Sequence, residues 1–195
     1  FMSDLHISVG STTDLKRMRE DAELLASTPG FYGIVNGDAV DNHIKHHSAM
    51  VNSRSTPDDQ YKLFDHWLSI ISDKVLVVLS GNHDAWTKQV AGVDVLGQLV
   101  KQHKVQYVSD EARISCMVGD QVYKVAVRHQ YRYNSNMNQT NSVKQWYNMG
   151  DDQFDIGCIS HLHEHAIEQF VRHSKKRWAC RPGAYQVNSS YSRQY

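Results

Sequence analysis

Five short stretches of the sequence crowd oxygen and imidazole donors together. They are Asp4 and His6 in "SDLH", Asp38 and Asp41 in "NGDAVD", Asn82, His83 and Asp84 in "GNHD", His129 in "RHQYR", and His161, His163 and His165 in "SHLHEH". Such a set suits a divalent cation held by hard oxygen and nitrogen donors, Mn2+, Fe, Zn2+ or Mg2+, and not a structural zinc site built on thiolates. Histidine is over-represented, with 12 in 195 residues, and many stand beside Asp, Asn or another His. Each stretch alone has an ordinary reading as a cap, a turn or a solvated loop. Together they share one feature: each follows an apolar run.

Those runs are the elements that must position them. The opening "FM" reads as the end of a buried strand, and "FYGIVN", "KVLVVL", "QVYKVAV" and "FDIGCI" read as four more. In open α/β sheets, ligands bind beyond the carboxyl ends of the strands. An extended Asp-x-His would turn residues 4 and 6 to one side, and His161 and His163 would behave alike. Gly37 and Gly81 would let the backbone bend away from its strand. Between the strands, residues 12–26 and 86–102 have helical character, the latter weakened by Gly92 and Gly97. A helix also begins at Thr56-Pro57 and carries Tyr61, Phe64, Trp67, Leu68 and Ile71 on one face. Two hairpins are expected, "ARISCMV" with "QVYKVAV" across Gly119-Asp120, and "AIEQFV" with "RWAC" across the basic turn "RHSKKR". Residues 42–55 and the Asn-rich 134–142 read as loops. A βαβα first half and a mostly β second half predict an α/β sandwich with two facing sheets.

Composition bounds the rest. Hydrophobic residues make up 41% and charged residues 22%, the balance of a folded globular chain. Formal net charge is zero, which excludes the global basic field of a protein that coats nucleic acid. Cys116, Cys158 and Cys180 are odd in number and far apart, which predicts reduced thiols and a cytoplasmic location. No run reaches the ~20 apolar residues that span a bilayer. The opening "FMSDLH" reads as an excised domain with a shortened first strand, so residues 1–195 are expected to form one domain.

The ordered set "DLH", "GDAVD", "GNHD", a lone histidine and "HLH" resembles the calcineurin-like metallophosphoesterase superfamily. Its pattern is D-x-H, GD-x-x-D, GNH-D/E, H and GH-x-H, and "RPGA" at 181–184 is similar to the Asn-Pro-Gly-Ser stretch that often follows. Ser160 stands where the family usually has glycine. The resemblance implies a four-layer α-β-β-α sandwich with two facing mixed β-sheets and a centre of two divalent metal ions, manganese first among them. One ion would take Asp4, His6 and His163, the other Asn82, His129 and His161, with Asp38 bridging. Ions about 3.5–4 Å apart can share a hydroxide for in-line attack on phosphorus. His83 would be the general acid, with Asp84 orienting its ring. Asp41 and His165 would hold ligand side chains in place, while His43, His46 and His47 either line the substrate side or sit in a solvated loop.

The substrate is less well defined. "RHQYR" and "FDIGCISHLHEH" resemble blocks of SbcD-type nuclease subunits, and Arg128 and Arg132 with Tyr131, Tyr133 and Trp146 could meet phosphates and stack bases; plain packing of these aromatics is the competing reading. A phosphodiesterase acting on DNA or nucleotides is therefore expected. The alternatives are a phosphomonoesterase and a catalytically silent scaffold of the same fold. The nuclease relatives also make a homodimer an expectation.

Overall fold

The computed structural model describes residues 1–8, 12–45, 55–150 and 153–187. The first half alternates helix and strand: α1 (Leu15–Ser27), β1 (Gly33–Asn36), α2 (Pro57–Ile71), β2 (Val75–Leu79), α3 (Asn82–Ala91), α4 (Val95–Gln102) and β3 (Gln106–Val108). The second half is β4 (Glu111–Val118), β5 (Gln121–Arg128), α5 (Asn141–Met149), β6 (Ile156–Ile159), β7 (Ala166–Arg172) and β8 (Lys175–Arg181). The loop expected at 42–55 falls largely outside the described residues, as do His46 and His47.

Helix boundaries follow local chemistry. Thr56 accepts the Asp59 N–H at 3.2 Å while Asp59 takes the Thr56 N–H at 3.0 Å, a reciprocal cap, and Pro57 opens the first turn. A cap of this kind contributes about 1 kcal/mol. The helix expected over 86–102 is two. Gly92, at φ 72, ends α3, and Asp94 caps α4 by accepting the Gly97 N–H at 2.9 Å. Two short elements escaped the pattern. One is β3, and the other is α5, whose Val143, Trp146 and Tyr147 are buried at helical spacing behind a polar lead-in.

The strands form two sheets, β1-β2-β3 and β4-β5-β6-β8-β7. The three described strands of the first are parallel. The second is mixed: β4/β5 and β7/β8 are the two expected hairpins, and β5, β6 and β8 run parallel. Met2 adds a parallel bridge to Val35.

Three apolar clusters mark three interfaces between four layers. Met18, Ala22, Phe64, Leu68 and Val100 of the helices pack on Val35 and Val78 of the first sheet. Ile34, Val77 and Leu79 of that sheet meet Val125, Val127 and Cys158 of the second. Ala126, Phe170 and Ala179 on its far side are covered by Val143, Trp146 and Tyr147 of α5. The architecture is therefore α-β-β-α. Among the described residues, no helix is long and apolar enough to cross a membrane. The three cysteines are free thiols, Cys158 fully buried.

Because β1 and β2 are parallel, and β5 and β6 likewise, their carboxyl ends gather at one edge of each sheet. Asp38, Asn82, His129 and His161 lie just past these ends.

Candidate metal centre

The segments carrying Asp4–His6 and Asp38–Asp41 run side by side. His6 N–H donates to the Asp38 carbonyl and Ile7 N–H to the Ala39 carbonyl, both at 3.0 Å. Neither segment is extended at its donor residues. Asp4, His6 and Asp38 have φ of 48°, 45° and 50°, and His161 and His163 have 76° and 59°. The shared direction of Asp4 and His6 therefore comes from left-handed backbone at both, not from strand alternation. Each such residue costs about 1 kcal/mol or more, and such strain concentrates at functional sites.

The two glycines matter for different reasons. Gly37 has φ 82, and a Cβ there would lie 2.4 Å from His129 Nδ1. Gly81 has φ −98, open to any residue, so bending does not require it. Its need is steric: a Cβ would fall 2.1 Å from Asp38 Oδ1.

The donor atoms converge in overlapping groups, Asp4/His6/His163, His6/Asp38/His83 and Asp38/His129/His161, each within 4.8 Å. His6 Nε2 faces His163 Nε2 at 3.0 Å, and His163 Nε2 lies 3.5 Å from Asp4 Oδ1. Asp38 Oδ2 is 3.2 Å from His129 Nε2 and 3.8 Å from His6 Nε2, so it stands between the groups. Asn82 Oδ1 is 3.2 Å from His129 Nε2.

Hydrogen bonds fix which nitrogen points inward. His129 Nδ1 lies 2.8 Å from the Asn36 carbonyl, which can only accept, so Nδ1 carries a proton and Nε2 is the atom turned to the cluster. His6 Nδ1 lies 3.0 Å from Asp41 Oδ1, the role expected of Asp41, and its Nε2 likewise faces inward. Asp38 Oδ1 accepts the His83 N–H at 2.9 Å, in the first turn of α3, where the helix dipole favours a carboxylate.

Electrostatics make the cluster cation-seeking. Asp4, Asp38 and Asp41 are all buried. Burial pulls the His6 imidazole down, but its hydrogen bond to Asp41 and the charges of Asp38, Asp41 and Asp4 overcome this and raise it to about 9. Burial also opposes protonation of His129, and Asp38 chiefly reverses it, to about 10. Burial pushes the Asp38 carboxyl up, yet His129, His6 and His83 hold it well below the usual carboxylate range. His163 and His83 are each lowered to about 4, first by burial, and His161 is lowered for the same first reason. Asp4 Oδ1 is buried without a hydrogen-bond partner. A buried, unbonded carboxylate oxygen among inward-facing imidazole nitrogens fits a divalent cation.

Several expectations need correction. Asp84 does not orient the His83 ring. Its carboxylate accepts the N–H groups of Gly81 at 2.8 Å and Ala39 at 3.0 Å, and it thereby joins two loops. The His83 ring is oriented by the Asp41 carbonyl, 2.6 Å from Nδ1, and by stacking on Trp86 with ring centroids 4.0 Å apart. "GNHD" is accordingly not a turn; Asn82, His83 and Asp84 are the first turn of α3.

His165 is exposed and lines a cavity with Asp14, Arg17 and Tyr185 whose lining includes none of the clustered donors. Arg128 is engaged by Asp110 at 2.8 Å and Glu111 at 3.6 Å and lies over Tyr131 and Trp146. Trp146 belongs to the buried packing beneath α5 and is not available to a base. Arg132 and Tyr133 are exposed and pack on one another. His43 does approach the centre, its ring 5.5 Å from that of His83.

Asn36 and Asn42 carry no signal that singles them out, and Ser160 stands out in the sequence only as a departure from glycine. Asn42 Nδ2 donates to the His83 carbonyl at 2.7 Å, and Asn36 ties β1 to the second sheet. "VNGD" and "DN" are the local signals, but both also read as ordinary turn chemistry.

A four-layer α-β-β-α sandwich with clustered His and Asp donors at its strand ends defines a metal-binding α/β fold. The chain belongs to the calcineurin-like phosphoesterase family, whose model matches residues 1–184. No curated protein matches the chain. Similar solved structures include Vacuolar Protein Sorting 29 from Cryptosporidium parvum, at 17% identity and TM-score 0.46, covering 94% of this chain and 72% of that one. Zn-complexed Vps29 from Entamoeba histolytica shares 12% identity at TM-score 0.48, with 94% and 72% covered. The phosphopantetheinyl hydrolase of Mycobacterium tuberculosis shares 12% at TM-score 0.46, covering 100% of this chain and 96% of that one.

Proposed function

We propose that the chain is a dinuclear metal-dependent phosphodiesterase acting on nucleic acid or nucleotides. The observation that carries this reading is Asp38 Oδ2 lying 3.2 Å from His129 Nε2 and 3.8 Å from His6 Nε2, between two donor groups. Asp4, His6 and His163 would hold one ion, and Asn82, His129 and His161 the other, with Asp38 shared. Ions so placed supply Lewis acidity and neutralise charge on phosphorus.

The remaining chemistry falls to the chain. With Nδ1 committed to the Asp41 carbonyl, His83 presents Nε2 as the atom that holds and releases a proton. Burial keeps this imidazole neutral near pH 7. A phosphate anion beside it would raise its pKa, so that Nε2 takes a proton from solvent and gives it to the departing alkoxide. Arg128 is spent on Asp110 and Glu111, so it adds no positive charge to the centre. That favours a monoanionic diester over a dianionic monoester.

The test is a substrate panel with Mn2+: bis-p-nitrophenyl phosphate, p-nitrophenyl phosphate, single-stranded DNA, cyclic nucleotides and a phosphopeptide. Cleavage of the diester, with nucleotides or DNA among the natural substrates, is expected. Turnover confined to monoesters would overturn the diester reading. Tight metal binding with no turnover on any ester would leave a scaffold of this fold.

A further inference from the structure

Asn36 ends β1 fully buried, and its side chain crosses from the first sheet to the second. Its amide Nδ2 donates to Ser160 Oγ at 2.6 Å and to the Arg128 carbonyl at 2.8 Å. Arg128 immediately precedes His129, and Ser160 immediately precedes His161. One amide therefore grips the two strand ends that deliver His129 and His161, two of the second sheet's three assigned imidazoles, to Asp38. The Asn36 backbone carbonyl meanwhile accepts from His129 Nδ1 at 2.8 Å and from Ser3 Oγ at 2.8 Å. Ser3 Oγ also lies 2.7 Å from Asp4 Oδ2, and the His161 N–H reaches that same oxygen at 3.2 Å. Ser160 N–H closes the loop on the His129 carbonyl at 2.9 Å.

The network thus links the Asp4 carboxylate to His129 and His161 through Ser3, Asn36 and Ser160, which bind no ion in this assignment. The Ser160 hydroxyl is its distinctive member, since glycine is usual at this position in the motif. With glycine there, the Asn36 amide would keep the Arg128 carbonyl and a long contact to Cys158 Sγ at 3.8 Å, and Ser160 would lose its side-chain tie to the first sheet.

We propose that Asn36 and Ser160 act as a pair of positioning residues that hold His129 and His161, from the second sheet, in place against the Asp38 loop of the first. This rests on the ligand assignment given under Proposed function. Groups that orient metal ligands in this way change affinity by 10–100-fold when removed.

The test is calorimetric binding of Mn2+ to the metal-stripped chain, with circular dichroism as the check on folding. Ser160→Ala and Asn36→Ala are each expected to weaken Mn2+ binding about 10-fold or more. The double variant is expected to be no weaker than the poorer single one, because either change alone breaks the tie. Ser160→Gly serves if Ser160→Ala misfolds, since glycine is the usual residue there, and the same loss is expected. Unchanged affinity in a folded Ser160 variant, or additive losses in the double variant, would overturn the proposal. His129→Ala runs in parallel. If it too binds Mn2+ normally, the ligand assignment itself has failed and the pair falls with it.

Discussion

The carboxylate of Asp84 accepts the backbone N–H of Ala39 at 3.0 Å, across 45 positions of sequence. With the bond from Gly81 N–H at 2.8 Å, it locks the start of α3 to the loop that carries Asp38. Asp84→Ala leaves buried N–H groups unsatisfied and is expected to lower stability by about 2 kcal/mol or more. Urea denaturation measures this. The His83 ring keeps its Asp41 carbonyl, so activity lost in Asp84→Ala should track metal loss. A variant of wild-type stability would contradict the locking role.

His83 touches no ion in the proposed scheme and reaches the leaving group through Nε2. His83→Ala should retain bound metal while losing about 10²–10⁴ in kcat on an alkyl diester. The loss should be much smaller with a p-nitrophenyl leaving group, which needs no protonation. Equal losses on both esters would rule out a proton-donor role.

Gly37 combines φ 82 with a Cβ position 2.4 Å from His129 Nδ1. Gly37→Ala must strain the backbone and displace the imidazole at once. Weakened Mn2+ binding together with about 1–3 kcal/mol of destabilisation is expected. Calorimetry and denaturant unfolding read the two effects separately. Gly92 shares the left-handed backbone, but a Cβ there meets open space. Gly92→Ala should therefore show the backbone destabilisation without the loss of Mn2+ binding.

The metal-stripped chain should show a distinctive pH profile. His6 and His129 are raised to about 9 and about 10, above their ordinary 6.5. A raised histidine contributes stability that is full below pH 6.5 and is lost as pH climbs through its folded value. Stability should therefore fall between pH 7 and pH 10 in EDTA. His163 and His83, lowered to about 4, work in the opposite sense and cost stability as pH falls from 6.5 toward 4. Ligating nitrogens must lose their protons, so Mn2+ uptake at pH 7 should release protons. Calorimetry in two buffers of different ionisation enthalpy detects that release. A flat thermal midpoint from pH 7 to pH 10 would contradict the raised histidines.

The sequence by itself determined the run of helices and strands that makes two facing sheets, and the candidate donor residues at the strand ends; the four layers were what the family resemblance implied. Apolar runs and helical spacing are local signals, and turn residues after each run placed Asp38, Asn82, His129 and His161 at strand ends before any coordinates. The two hairpins and the Thr56 cap were equally local. Short elements such as β3 and α5 were not, because three or nine residues give little periodic signal.

Only the tertiary structure decided which group orients which. Asp84 neighbours His83 in sequence, yet its carboxylate turns to Ala39, and Asp41 supplies the carbonyl that holds the ring. His165 shares a motif with His163 but faces another cavity. The reach of Asn36 to Ser160 depends on two sheets packing face to face. A hydrogen bond 124 positions long has no period to read along the chain. It exists because folding brings the carboxyl ends of strands from both sheets to one place.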